Sequence, residues 1–303
     1  MTRRILSIGE CMVELSQAGN GLLRKGFAGD TFNTAWYLRA NLPDDVAVDY
    51  LTCLGDDALS GEMLSFMAKA GIGTDHIRQV PGKTPGLYLI SLKDGERTFS
   101  YWRDTSAARM LADDAEHLRR TIETADVVYF SGITLAILSP TARETLLSEL
   151  RRAKASGKTV AYDPNIRPRL WENREVMLDT ISAGARAATI VLPSFDDENT
   201  HFGDPNVAAT IERYQSLGPR QVIVKSGAQG ATVGEDGETI FVPAARPESL
   251  VDTTSAGDSF NGGLLARLMM GSPLPEAAAH GAAVASVVIA HHGALIDFAL
   301  LPG

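Results

Sequence analysis

The sequence predicts an α/β fold: a central, mostly parallel sheet flanked by helices on both faces, with a small β-sheet lid. Short apolar runs rich in β-branched and aromatic residues recur along the 303-residue chain and end at Gly, Asp or Pro. Amphipathic helical stretches separate them, and repeated strand–helix–strand units call for parallel strands with helices covering the sheet. Two segments carry alternating rather than continuous apolarity, which implies strands with only one covered face.

The first strand is ILSIG (5–9). Arg3 and Arg4 precede it as in a secretory signal, but Glu10 and Glu14 interrupt the apolar run too early for one. Residues 11–29 are the first alternating segment. VDYLTCLG (48–55) follows as a strand and 60–70 as a helix. The second alternating segment, 84–103, reads as a hairpin turning at Asp94-Gly95. Strands VVYFSG (127–132), TVAYD (159–163), ATIVLPS (188–194) and QVIVKSG (221–227) then alternate with helices over 140–156 and 207–217. The uncharged stretch 277–296 is long enough for a membrane span, but His280, His291, His292 and its glycines favour a buried helix. The expected core is therefore residues 1–10, 30–83 and 104–303, a nucleotide- and substrate-binding unit. Residues 11–29 and 84–103 form the β lid, which would exclude water from a site at the strand C-termini.

Composition narrows the function. At 45% apolar and 21% charged, the chain should bury a substantial core. Twenty-eight basic against 37 acidic residues give a net charge of −9, which argues against nucleic-acid or anionic-membrane partners. Two cysteines, Cys11 and Cys53, are too few for a disulfide framework and point to the cytoplasm.

Two apparent phosphate loops fail on their first glycine. Gly82-Lys83-Thr84 and Gly157-Lys158-Thr159 end like a P-loop, yet the required earlier positions hold Ile77 and Arg152. No G-x-G-x-x-G follows the first strand, so dinucleotide chemistry loses its main support. The informative segment is Asp252-Thr-Thr-Ser-Ala-Gly-Asp258-Ser-Phe-Asn-Gly-Gly-Leu-Leu265. Ser255, Ala256 and Gly257 precede a helical stretch, so their amides can face an anion at its positive end. Asp258, in the first turn, could then take a proton from a hydroxyl attacking a bound phosphate. The plain alternative is a helix-capping carboxylate.

That string resembles the second signature of the ribokinase-like (PfkB-type) carbohydrate kinases throughout. The likeness extends along the chain: Ala28-Gly-Asp-Thr-Phe-Asn33, Leu54-Gly-Asp-Asp57 with Gly61, Asp163-Pro-Asn-Ile-Arg167, and Lys225-Ser-Gly-Ala-Gln-Gly230. Within the family the run Phe99 to Ala108 and the Ala-His-Gly around His280 look most like the branch acting on 2-keto-3-deoxygluconate. The resemblance implies a ribokinase-like fold and phosphoryl transfer from ATP to a sugar-acid hydroxyl. Asp258 would be the general base, with Ser255, Ala256 and Gly257 stabilising the transferred group. It also implies that Gly29, Asp30 and Asn33 hold the sugar chain, and that Tyr88, Tyr101, Arg103 and Arg167 bind the acid. A carboxylate needs an arginine fork or aligned donors, whereas a neutral sugar does not.

On the nucleotide side the resemblance implies Asn165, Arg167, Lys225, Ser226, Gly227 and Gly230, with the amides of Ala256 and Gly257. Magnesium would accompany ATP. The family's N-x-x-E metal motif is replaced here by Ser194-Phe-Asp-Asp197, leaving Asp197 as a water-mediated candidate and Asp196 to Glu198 as a solvated helix start. Asp252 and Thr254 match a monovalent-cation site of ribokinases. The alternatives are a fructokinase or other neutral-sugar kinase of the same family, or a non-catalytic sugar sensor. A homo-oligomer is expected because the outer face of a small covering sheet commonly pairs with a second subunit.

Overall fold

A computed structural model describes residues 3–93 and 96–302. Its strands, in chain order, are β1 (Arg4–Ile8), β2 (Met12–Gly19), β3 (Leu22–Ala28), β4 (Ala47–Leu51), β5 (Cys53–Leu54), β6 (Arg78–Gln79) and β7 (Leu87–Lys93). They continue with β8 (Glu96–Trp102), β9 (Val127–Ser131), β10 (Thr159–Asp163), β11 (Ile190–Val191), β12 (Gln221–Lys225), β13 (Gly230–Glu235) and β14 (Glu238–Pro243). Eight of these form the main sheet in the order β14-β13-β12-β11-β10-β9-β1-β4. The strands from β12 to β4 are parallel to one another, and β13 and β14 extend the sheet antiparallel. Ile5, Leu6 and Ile8 of β1 are fully buried, as continuous apolar runs covered on both faces require.

Three details depart from the sequence reading. The run 48–55 breaks at Thr52: β4 joins the main sheet, whereas β5 pairs with β6 in a separate two-stranded ribbon. The run 188–194 contributes only two residues of ladder, as β11. The β13–β14 hairpin was not anticipated, although Asp236-Gly237 carries its signal; both residues have positive φ, 49° and 85°, the backbone of a type I′ turn.

The smaller sheet has the order β3-β2-β7-β8 and comes from the two alternating segments. β2 and β7 run parallel, and β7 pairs antiparallel with β8 so that Tyr88 stands opposite Tyr101. The expected turn at Asp94-Gly95 lies outside the described residues.

Three helices set the site. The helix Ala256–Met269 is wedged between Asp30–Asn41 and Leu274–Val288, the last overlapping the helix expected over 277–296 but ending at Val288. Gly262 and Gly263 permit that approach. A Cβ on Gly262 would lie 2.6 Å from Tyr37 Cβ, and one on Gly263 would lie 3.2 Å from Gly281 Cα. Among the described residues no helix is long and apolar enough to cross a membrane.

Candidate active site

The Ala256–Met269 helix begins from an unusual backbone. Ser255 precedes it at φ 64°, a left-handed conformation that a non-glycine residue rarely adopts and that clusters at functional sites. The turn leaves its side chain unused as a cap, and Ser255 Oγ is buried without a hydrogen-bond partner. The Ala256 amide donates to Thr253 O at 3.2 Å and the Ser259 amide to Ser255 O at 2.8 Å. Between them the Gly257 and Asp258 amides reach no backbone carbonyl of the described residues. Lys225, at the end of β12, places Nζ 3.5 Å from where a Cβ on Gly257 would lie. Helix terminus, amides and ammonium together make a pocket suited to an anion.

Carboxylates crowd the same place. Asn33 donates from Nδ2 to Asp258 Oδ2 at 2.8 Å, and the Gly29 amide donates to Asn33 Oδ1 at 3.2 Å, which fixes the orientation of the Asn33 amide. Asn165 donates to Asp30 Oδ2 at 2.8 Å. Asp163, at the end of β10, accepts from Lys225 Nζ at 2.7 Å and from Asn261 Nδ2 at 2.6 Å. Burial pushes Asp258 up to about 7, with the charges of Asp30 and Asp163 adding to it, against the Asn33 hydrogen bond and Lys225. Burial raises Asp30 as well, with Ser131 and Asn165 opposing. A carboxyl poised near neutrality can both accept and release a proton, as general-base chemistry requires.

A cleft adjoins this cluster through Asn33. Gly29, Asp30, Asn33, Tyr88, Tyr101, Arg103 and Arg167 all line it, so the sequence-derived substrate residues converge on one place. Glu10 and Arg169 line it too and were not among them. Glu10 carries the acidic signal that interrupts the first apolar run, and Arg169 stands two residues beyond Arg167. Arg103 is buried and paired with Glu10. The Tyr88 hydroxyl donates a hydrogen bond to Glu14. Arg169 stacks over Tyr101, with Cζ 4.4 Å from the ring centroid.

The other expected residues lie around the anion pocket and its margins. Ser226, Gly227 and Gly230 form the turn after β12, where Ser226 N–H donates to Gly230 O at 2.8 Å and both glycines have positive φ. Ser226 Oγ is buried without a partner. Arg167 Nη1 stands 3.7 Å from Asp197 Oδ2, and burial raises Asp197 while that guanidinium opposes the shift. The acidic run at 196–198 is not wholly solvated. Glu198 is fully buried, accepting from Arg213 at 2.6 Å and from the Tyr214 hydroxyl at 2.8 Å, so it anchors its helix internally. Asp252 accepts from the amides of Thr254 at 3.0 Å and Gly293 at 2.8 Å.

Residues 2–299 match the family described as pfkB family carbohydrate kinase. The chain belongs to that family. A 2-dehydro-3-deoxygluconokinase of Dickeya dadantii is 41% identical over 308 residues, covering 99% of each chain. One from Escherichia coli K12 is 39% identical over 309 residues, covering all of both. Among solved structures, a PfkB protein from Polaromonas sp. JS666 superposes with TM-score 0.84 at 27% identity over 96% of each chain. A fructokinase from Xylella fastidiosa with bound ATP gives TM-score 0.86 at 23% identity, covering 100% of this chain and 96% of that one, a likeness of fold. As a member of this family the protein is a carbohydrate kinase with the ribokinase-like architecture expected from its signatures.

Proposed function

We propose that this PfkB kinase transfers the γ-phosphoryl group of ATP to the 6-hydroxyl of 2-keto-3-deoxygluconate, giving 2-keto-3-deoxy-6-phosphogluconate and ADP. The observation that carries the reading is the Asn33–Asp258 contact, which joins an arginine-bearing cleft to the anion pocket. The names of the two curated relatives described above support the choice of substrate.

The sugar acid lies in the cleft with its hydroxyls toward Gly29, Asp30 and Asn33 and its carboxylate toward the arginine end. Tyr88 and Tyr101 flank it from the smaller sheet, which acts as the lid. Asp258 takes the proton of the 6-hydroxyl as that oxygen bonds to the γ-phosphorus, and the bond to the β–γ bridging oxygen breaks. Charge developing on the transferred group meets the Gly257 and Asp258 amides and Lys225, fixed donors that need no reorganisation. Asn165 and Arg167 border the phosphates from the β10 side, and Ser226, Gly227 and Gly230 line the nucleotide beyond Lys225. The Ala256 amide, expected among the donors, is held by the Thr253 carbonyl at 3.2 Å and stands beside the pocket rather than in it.

Bound to ATP, magnesium neutralises phosphate charge. Asp197, 3.7 Å from Arg167 Nη1 near the expected phosphates, would be the carboxylate to hold it through water. The Asp252 carboxylate with Thr254 is the corresponding place for a monovalent cation, and its two amide donors hold the loop in shape. A homo-oligomer is proposed through the lid, whose strands expose Leu22 and Trp102 at 66% and 59%. A cytoplasmic location accords with two unpaired cysteines.

An ATP-consumption assay over a small panel of keto acids and neutral sugars tests this reading. Turnover should be greatest with the keto acid. Rapid phosphorylation of fructose with none of the keto acid would transfer the assignment to a neutral-sugar kinase.

A further inference from the structure

We propose that Asn261 is a positioning residue for phosphoryl transfer: its side-chain amide holds the Lys225 ammonium so that one N–H is directed at the transferred group. The inference rests on the reading above, in which Lys225 meets that group, and adds the residue that aims it.

A lysine ammonium is a point charge on a flexible four-carbon stem with three N–H donors, and it serves a transition state best when its surroundings hold it still. Lys225, at the end of β12, is buried. It donates to Asp163 Oδ2 at 2.7 Å and to Asn261 Oδ1 at 3.3 Å. Two of its three N–H groups are thereby held, and tetrahedral nitrogen then fixes the direction of the third. Nζ lies 3.5 Å from where a Cβ on Gly257 would stand, so the third N–H is the one the anion pocket can use.

The orientation of the Asn261 amide is forced. An ammonium only donates and a carboxylate only accepts, so Oδ1 must face Lys225 and Nδ2 must face Asp163, which it reaches at 2.6 Å. The same nitrogen donates to the Tyr129 hydroxyl at 3.1 Å, and both Asn261 and Tyr129 are fully buried. Asp163 is anchored in turn through Oδ1, which accepts from the Asn165 amide at 3.0 Å. Asn261 stands three residues after Asp258 on the helix Ala256–Met269, so base and amide share one face of it. Asp30 and Asp163 already oppose the charge of Asp258 there. A neutral side chain that both accepts and donates ties the cation to its carboxylate without adding another acid. Without it Asp163 is the remaining anchor among the described residues, and the ammonium turns about that one bond.

The test measures kcat, both KM values and the melting temperature for wild type, Asn261→Ala, Asn261→Ser, Lys225→Met and each Asn261 substitution added to Lys225→Met. The acceptor is whichever compound wild type phosphorylates fastest. Losing a bond to a charged donor that acts in the transition state should lower kcat about 10- to 100-fold in Asn261→Ala, with neither KM changed more than about 3-fold. Asn261→Ser leaves a smaller void and carries the same expectation should the alanine variant fail to fold. Because Asn261 acts through Lys225, either substitution added to Lys225→Met should cost no more than about 2-fold further. Unchanged kcat in a folded Asn261 variant overturns the proposal, as does a rise in KM with kcat intact. A full multiplicative loss in the double variant also overturns it, since Asn261 would then act independently of the lysine. Wild-type kcat in Lys225→Met removes Lys225 from the reading above, and the positioning role with it. Loss in Lys225→Met with none in the Asn261 variants leaves that reading intact and overturns this one alone.

Discussion

Asn33 donates its side-chain amide to Asp258 Oδ2 across 2.8 Å, joining the start of one helix to the start of another 225 residues along the chain. A second contact, Thr34 Oγ1 to Asp258 O at 3.3 Å, holds the backbone of the same residue. The carboxylate is therefore fixed at both its head and its root. Asn33 supports the ionised form while burial and two neighbouring acids oppose it, and the balance leaves Asp258 near neutrality.

Removing the carboxylate should separate catalysis from binding. Asp258→Asn keeps the size of the side chain but cannot take up the hydroxyl proton, so kcat should fall at least ~100-fold, the contribution of a positioned general base. Sugar-acid affinity, measured calorimetrically, should change little. Near-normal turnover by the purified variant would remove Asp258 from that role.

The pH dependence follows from the same group. Activity needs the ionised form, so kcat/KM should fall as pH drops through about 7, where burial and the neighbouring Asp30 charge hold Asp258 in the unliganded site. Asn33→Ala deletes a bond that favours ionisation and should move the acid limb upward. Stability runs the opposite way. A carboxyl raised in the folded state favours the protonated fold, a contribution complete below the unfolded value near 4 and lost as pH climbs through about 7. Asp258→Asn should therefore melt higher than wild type at pH 8, by at least about 2 °C, with a smaller gap at pH 5. Equal melting points at pH 8 would contradict the buried, costly charge.

How far the sequence foretold this arrangement depended on the range of each signal. The Asp252–Leu265 signature is local, so Asp258 and the small residues before it are legible together in the sequence, and the fold sets them at one helix start. The parallel sheet was legible because strands such as β1 are buried on both faces and read as unbroken apolar runs. Glu10 and Arg169 escaped notice because their importance lies in partners far along the chain, Arg103 and Tyr101. Glu198 read as one of three acids on a solvated turn, and only the fold brings Arg213 and Tyr214 against it. The β13–β14 hairpin is different in kind: Asp236-Gly237 carries its turn signal, but its strands pair antiparallel, outside the strand–helix–strand rhythm that makes the parallel strands legible.

The Arg103–Glu10 pair changes how one obvious mutation should be interpreted. Arg103→Ala leaves Glu10 buried without its counter-charge, which should cost about 3–5 kcal/mol in urea unfolding, independent of substrate. The double variant Arg103→Met with Glu10→Gln removes both charges and should recover most of that stability. Any keto-acid activity still missing from the double variant then reports the pair's contribution to the site rather than to the fold. A single variant as stable as wild type would mean that Glu10 finds another partner.

Gly262 offers a test of whether helix spacing, rather than side-chain chemistry alone, holds the base in place. A Cβ there would approach Tyr37 Cβ to 2.6 Å, the Thr34 carbonyl oxygen to 3.0 Å and Leu38 N to 3.1 Å, two of them backbone atoms that cannot rotate aside. Gly262→Ala must therefore push the Ala256–Met269 helix away from Asp30–Asn41, the same pair of helices bridged by Asn33 and Asp258. Overpacking of this kind typically destabilises by about 1–3 kcal/mol. The displacement should also lengthen the Asn33–Asp258 bond, so kcat should fall more than KM rises, and the acid limb should shift upward as it does in Asn33→Ala. Gly61, with nothing near its hypothetical Cβ, is the control: Gly61→Ala within a helix should be neutral or slightly stabilising. Full activity and an unmoved acid limb in Gly262→Ala would show that the base keeps its place without that close approach.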